Sequence, residues 1–310
     1  MYELKVPATS ANLGPGYDTI GLALNLFNHF TIKKRNDNLI KVKLIDKNNG
    51  AEEINIEEKD NLILNAYKLY FDFIDKKVQG VEITEIMETP LARGLGSSAS
   101  AIIGGLAAAA LVSAELISEQ DFINLAVSLE KHPDNVVPAL IGGLTINYNC
   151  NNIYDYYKID LTKDLSFVLV VPDFELETKK LRNVLPKKIN YADAVFNLSR
   201  VSLFTAAFIN KDYSLLKKAM EDKIHQPYRK KLIKEFDQVI KNAEESGAYG
   251  AALSGAGPTI IAAADKNEEL IAESMKKPFL ENNINCRSYI LKSCSYNLYR
   301  FLTEEAISDD

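Results

Sequence analysis

The stretch Pro90-Leu91-Ala92-Arg93-Gly94-Leu95-Gly96-Ser97-Ser98-Ala99-Ser100 runs straight into SASAIIGGLAAAALVS at 98–113, and the reading of this junction decides the fold. The second segment is apolar almost all round, which predicts a helix buried between layers, with Gly104 and Gly105 allowing close packing. Two glycines just ahead of it let the backbone take positive φ and approach a ligand closely. The first amides of the following helix have no internal partner and carry partial positive charge. Together these features describe a cradle for phosphate. A tight turn with Ser97 or Ser98 as helix cap is the other reading of the same residues. GxxxxGK[ST] is absent. GLGSSA fits GxGxxA, but the acidic residue about 20 positions on, Glu115, falls at a helix end rather than a strand end, so a dinucleotide fold is not indicated. The hydroxyl of Ser97 or Ser98 would suit a phosphate-bound Mg²⁺, which takes hard oxygen ligands.

Working outward, YELKV, HFTIKK and LIKVKLI in the first 50 residues alternate like antiparallel strands around an irregular loop at 8–18. Residues 61–76 place Leu62, Ala66, Leu69 and Phe73 on one helical face, and VEITEI at 81–86 alternates as a strand. A helix over about 118–130 ends near Glu130-Lys131-His132, because Pro133 cannot continue it and suits the first turn of a new short helix. The strand GGLTINY follows, then the Tyr-rich NCNNIYDYY, read as the boundary between two lobes, 1–155 and 156–310. The second half opens on the strand SFVLVVP at 166–172. Helices are expected at about 178–184, 190–210, 213–223, 228–246 and 267–280, with strands on either side of Ser254-Gly-Ala-Gly-Pro-Thr259 and a last strand INCRSYILK. Strands and helices in non-repeating order indicate α+β in both lobes, and 310 residues exceed what a single core usually organises.

Phosphoryl transfer needs a held metal, a placed acceptor and neutralised equatorial oxygens. Glu130, beside the His132-Pro133 break, is the best single carboxylate for Mg²⁺, or else a solvated helix-end charge. Asp134 and Asn135 open the next helix. In Ala8–Asp18, two glycines and a proline fix an irregular path on which Asn12 and Asp18 either grip a substrate's amine and hydroxyl or form an Asx-turn. Arg182 and Arg229 each lie near a proline and can fork onto a carboxylate or phosphate, though each read alone suits a surface position. The glycines of 254–259 bring bare backbone to a concave place, or make a simple hairpin turn.

Composition excludes several classes. Net charge is −6, which argues against a broad field for nucleic acid. Three cysteines without CxxC and three histidines without HExxH give no disulfide framework, thiolate site or zinc hydrolase. No basic leader and no window of about 18 apolar residues is found, so neither signal peptide nor membrane span is expected, and a reducing cytoplasm fits best.

PATSANLGPGYD at 7–18, PLARGLGSSASA at 90–101 and LSGAGPT at 253–259 resemble the three motifs of the GHMP small-molecule kinases, in order and over nearly the whole chain. EKHPDNVVPALIGG at 130–143, ETKKLRNVLP at 177–186 and HQPYRKKLI at 225–233 resemble the homoserine kinase branch of that family. The resemblance implies an N-terminal lobe like the second domain of ribosomal protein S5, a ferredoxin-like C-terminal lobe, and ATP-dependent phosphorylation of L-homoserine on the route to threonine. It implies ATP on Pro90, Leu91, Ala92, Arg93, Gly94, Leu95, Gly96, Ser97, Ser98, Ala99 and Ser100, with Asn61 near the base, and Mg²⁺ on Ser98 and Glu130. Homoserine's amino end would meet Asn12 and Asp18 and its carboxylate Arg182 and Arg229, with His132 and Thr178 close by, Gly255 and Gly257 closing the pocket, and Asn135 near the transferred group. It implies substrate-assisted proton removal and a homodimer, and leaves the role of Asp134 open. The alternatives are another acceptor for the same scaffold, or a catalytically silent metabolite sensor. Tyr17 and Lys131 stand where many relatives carry Phe and Gly.

Overall fold

Strict alternation marks Val81–Met87 as a strand with one face on a core: Val81, Ile83, Glu85 and Met87 are buried and the residues between them half-buried. The computed structural model describes residues 1–54, 56–161, 163–176 and 178–308, the side chains of 178, 179 and 306–308 excepted. In chain order the first part comprises β1 (Tyr2–Asn12), β2 (Gly16–Lys34), β3 (Ile40–Asp46), β4 (Glu52–Ile54), α1 (Leu62–Phe73), β5 (Val81–Met87), α2 (Ser97–Ser113), α3 (Glu119–Glu130) and α4 (Pro133–Ile141). It continues through β6 (Leu144–Cys150) and β7 (Ile153–Ile159). The second part holds β8 (Ser166–Pro172), α5 (Thr178–Asn183), α6 (Tyr191–Asn210), α7 (Leu216–Ala219), α8 (Gln226–Arg229) and α9 (Phe236–Glu245). It closes with β9 (Gly250–Leu253), β10 (Ile260–Ala264), α10 (Glu268–Glu281), β11 (Cys286–Lys292) and α11 (Leu298–Ser308).

The first sheet runs β4-β3-β5-β2-β6-β7, with β1 pairing β2, and the second runs β11-β8-β10-β9 with every pairing antiparallel. The α+β, two-lobed expectation stands. β8 is a continuous apolar run because it is buried on both faces: Phe167, Leu169 and Val171 join a core shared with β2, α6 and α7, while Val168 and Val170 join the core under α9 and α10. Leu13, Ile20, Leu22 and Leu95 from the first lobe belong to that shared core, so burial of apolar area fixes one lobe on the other. In α2, a Cβ at Gly104 would lie 2.2 Å from the Phe30 ring, and one at Gly105 2.4 Å from the Ile63 carbonyl oxygen, which is the close packing its glycine pair implied.

Several local expectations change. β3 pairs β5 in parallel, not antiparallel. The loop expected at 8–18 is mostly strand, turning only around Leu13-Gly14-Pro15. α1 buries Ile63, Ala66, Tyr67 and Tyr70 and leaves Phe73 exposed, because the stripe that meets α2 is offset by one residue from the one read from sequence. The Tyr-rich stretch read as the boundary between lobes belongs to the first sheet: β7 pairs with β6, and the expected boundary at 155/156 falls inside it. α11 also returns to the first lobe's core through Leu298 and Leu302. The helix expected at 213–223 is a short turn plus α7, and that at 228–246 is interrupted where Glu235 adopts φ 63° before α9. α6 is long and apolar enough by length and composition to cross a membrane. It instead packs Phe204, Ala207 and Phe208 into the shared core and carries the buried Asn197.

Candidate active site

The serines after the glycine turn do not cap α2. Gly96 is the N-cap, in the left-handed region at φ 74°, and it brings no side chain to cap the helix. Ser97 Oγ donates to the Pro90 carbonyl at 3.1 Å, and Ser98 Oγ to Glu130 Oε1 at 2.8 Å. The positive end of α2 is therefore presented to a cleft of about 340 Å³ lined by Leu91 to Gly94, Gly96, Ser97 and Ser98. The loop is held from behind: Ser254 Oγ donates to the Gly94 carbonyl at 2.7 Å, and the amides of Thr9 and Thr259 donate to the carbonyls of Leu95 (3.1 Å) and Arg93 (3.3 Å). A Cβ on Gly94 would sit 2.4 Å from the Ser254 carbonyl oxygen, so this contact between lobes requires glycine.

Not every expected nucleotide contact faces the cleft. Leu95 packs into the shared core, Ala99 is buried, and Pro90 lines a neighbouring groove. Ser100 Oγ turns to Glu85 Oε1 at 3.3 Å and accepts from Asn28 Nδ2 at 3.1 Å. Arg93 directs its guanidinium to Glu175 (3.3 Å) and Asp173 (3.6 Å) of the second lobe. Asn61 caps α1, its Oδ1 accepting from the Leu64 amide at 3.1 Å. It lines the same cleft as the apolar side chains of Leu44, Ile56, Leu62, Met87 and Leu91.

At the other end α3 stops at Glu130 because Lys131 takes φ 78° and Pro133 occupies the first turn of α4. This break presents Glu130, His132, Asp134 and Asn135 to the cleft. Loss of hydration pushes the Glu130 carboxyl up to about 7, against the Ser98 bond. Burial, with Asp18 and Glu130 nearby, pushes Asp134 up to about 8, and burial with the Arg182 charge holds His132 below its ordinary value. Asn135 Oδ1 accepts from Thr9 Oγ1 at 2.8 Å, and its Nδ2 lies 3.4 Å from Asp134 Oδ1. Asp18, His132 and Asp134 offer ligand atoms within 4.8 Å of one another. With the Arg182 and Arg229 guanidiniums beside them, this end already holds positive charge and suits a group with both signs.

Asn12 is a tie rather than a free hand: its Nδ2 donates to the Gly255 carbonyl at 2.9 Å and its Oδ1 accepts from the Asp18 amide at 2.9 Å. Asp18, at φ 55°, meets Arg182 in a two-pronged pair of 2.8 and 3.3 Å, and Arg182 Nη1 also donates to the Tyr17 hydroxyl at 3.1 Å. A Phe at 17 could not make that last bond. Arg229 is buried, donating to the Gly255 carbonyl at 3.1 Å and the Leu181 carbonyl at 3.4 Å. The guanidiniums of Arg182 and Arg229 lie 5.7 and 5.4 Å from the Tyr17 ring centroid. Gly255 and Gly257 line the same end, while the side chain of Thr178 lies outside the described residues.

Sequence reasoning missed what aims Arg229. His225 Nε2 lies 2.7 Å from the Gly14 carbonyl and Nδ1 lies 3.2 Å from Arg229 Nη1. Burial pushes His225 down to about 4, so the neutral ring donates at Nε2 and accepts at Nδ1. Asp222 accepts from the amides of Ile224, His225 and Gln226 and from Asn197 Nδ2. The spacing of His225 and Arg229, one helical turn, was the available signal.

These shifts fix a pH dependence. Glu85, buried, is also pushed up to about 7. For raised carboxyls the folded state holds protons that the unfolded chain releases, so their contribution is complete below the ordinary carboxylate range and is lost as pH rises through 7 to 8. His132 and His225, both lowered, act oppositely and only below the ordinary histidine value near 6.5. The melting temperature of the ligand-free protein is therefore expected to fall from about pH 6.5 to about pH 8.5, and less so in Glu85→Gln, by thermal denaturation across that range.

Two family profiles match, described as GHMP kinases N terminal domain over residues 61–143 and GHMP kinases C terminal over 204–280. The homoserine kinase of Halothermothrix orenii is 47% identical over 289 residues, 93% of this chain and 92% of that protein. Among solved structures, the homoserine kinase of Cytophaga hutchinsonii superimposes with TM-score 0.85 and 29% identity, covering 95% of this chain and 96% of that one. The Methanococcus jannaschii mevalonate kinase shares the fold at TM-score 0.70 and 19% identity, covering 94% and 98%. With the glycine loop at 90–100, the helix break and both arginines lining one cleft, the chain belongs to the GHMP kinase family, in its homoserine kinase branch.

Proposed function

We propose that this protein transfers the γ-phosphoryl group of ATP to the side-chain hydroxyl of L-homoserine, giving ADP and O-phospho-L-homoserine on the route to threonine. The observation that carries the reading is one cleft in which a bare helix N-terminus lies at one side and Asp18, Arg182 and Arg229 at the other. The first-turn amides of α2 bind phosphate oxygens, and the apolar end near Asn61 takes the base. A carboxylate stripped of water and bonded by Ser98 is a donor set that fits a hard cation, so Ser98 Oγ and Glu130 would hold Mg²⁺. Bound there, the ion would neutralise charge on the transferring phosphoryl group.

Asp18 takes the ammonium of homoserine, and Arg182 and Arg229 take the carboxylate. Arg229 is aimed in advance by Gly255, Leu181 and His225. Asn135 is held by Thr9 and orients the reacting end, and its carboxamide is no base; the family resemblance supports passage of the hydroxyl proton to the transferred phosphoryl group. His132 and the backbone of Gly255 and Gly257 shape the pocket. A cytoplasmic location and a homodimer complete the reading; the second is checked by light scattering, which should give twice the chain mass. ADP release should be stimulated by L-homoserine far more than by mevalonate or galactose; equal rates with all three, or none with homoserine, would refute the assignment.

A further inference from the structure

Asp18 and Arg182, the two side chains assigned to opposite charges of the substrate, are bound to each other in the substrate-free cleft. Both Asp18 oxygens are engaged, at 2.8 and 3.3 Å, and the side chains are 31% and 35% exposed. Among the described residues Arg182 is nevertheless short of an acceptor, because its buried Nε has no hydrogen-bond partner there. Arg229 differs: its Nε and Nη1 are held by Leu181, Gly255 and His225, which fixes the guanidinium in place and keeps it from swinging to Asp18. Among the described residues the acidic groups near Arg182 are Asp18, Asp134 and Glu130, with the Tyr17 hydroxyl, and of these Asp18 pairs with it directly.

We infer that the Asp18–Arg182 pair stands in for the substrate's two charges, and that acceptor specificity is set by exchanging this one pair for two. An acceptor with both ammonium and carboxylate breaks one ion pair and forms two, and its carboxylate also supplies the acceptor that Nε lacks. An acceptor with one charge breaks the same pair, forms one, and leaves either Asp18 or Arg182 unpaired in a half-buried site. The pair thus works against singly charged alcohols as well as for the zwitterion. Two fixed, independent anchors would instead treat each charge separately.

This rests on the amino-acid alcohol reading above, and its test is separable from it. Titration calorimetry would compare L-homoserine, 4-hydroxybutyrate and 3-aminopropan-1-ol on wild type, Asp18→Asn and Arg182→Gln. Asn tolerates the left-handed backbone at 18, and nucleotide binding reports that each variant is folded. Exchange predicts that Asp18→Asn weakens homoserine at least about tenfold yet tightens 4-hydroxybutyrate about three- to fivefold, because Arg182 is released. It predicts the mirror result for 3-aminopropan-1-ol on Arg182→Gln. Unchanged, weaker or undetectable binding of the singly charged ligands in both variants overturns the inference. Turnover of homoserine by the wild type is read separately and bears only on the substrate assignment.

Discussion

Glu130→Gln is expected to lower kcat by roughly 10²- to 10³-fold, and in the same protein to raise stability above pH 7. The two effects share one cause. Glu130 stands at the helix break with Ser98 Oγ donating to it, and its charged form is stripped of hydration, which pushes its carboxyl up to about 7. Glutamine keeps the shape and can still accept from Ser98, but it has no charge to hold a cation. The stability change is at most about 3 kcal/mol, the shift from an ordinary carboxylate value, and less because the side chain is half-buried. Steady-state kinetics over a range of Mg²⁺ concentration, with thermal melts at pH 6 and pH 8, check both halves. A variant with unchanged kcat would remove Glu130 from the proposed Mg²⁺ site.

Gly21→Ala is expected to destabilise the fold by about 3 to 5 kcal/mol and to weaken turnover of the remaining folded protein. Gly21 lies in β2, paired with Ala11 of β1 and Thr145 of β6. A Cβ there would be 1.8 Å from the Asp134 carbonyl oxygen and 2.7 Å from Pro138 Cγ, so α4 must move away from the strand. That movement carries Asp134 and Asn135 out of the cleft, which couples packing to chemistry. Gly50→Ala is the control: nothing lies within 4 Å of its Cβ, and only the left-handed backbone at φ 72° opposes it, at about 1 kcal/mol. Urea unfolding of both variants measures the contrast; similar losses would mean that the β2–α4 approach does not constrain the site.

The parts of the molecule legible in sequence are those whose chemistry is local. Residues 90–100 could be read as a cradle because glycines, serines and the start of a buried helix are contiguous, and Pro133 announced the break that presents Glu130. The choice between a capping serine and an open helix end was not legible, since it turned on Ser98 meeting Glu130 from another helix. Nor was the aim of Arg229, which depends on His225 reaching the Gly14 carbonyl across 211 residues of chain. The parallel pairing of β3 with β5 and the return of α11 to the first lobe are likewise set by tertiary burial, on which local alternation is silent. The Tyr-rich segment read as a lobe boundary because a half-buried edge hairpin is as polar as a segment between lobes; β7 exposes Ile153 and Tyr157.

The pairing of a phosphate cradle with a two-signed acceptor pocket is tested most directly by following ATP and L-homoserine in the presence of Mg²⁺ by phosphorus NMR and mass spectrometry. The account predicts O-phospho-L-homoserine formed one-for-one with ADP. ADP formed without the phosphoester, or no consumption of ATP when homoserine is added, would contradict it.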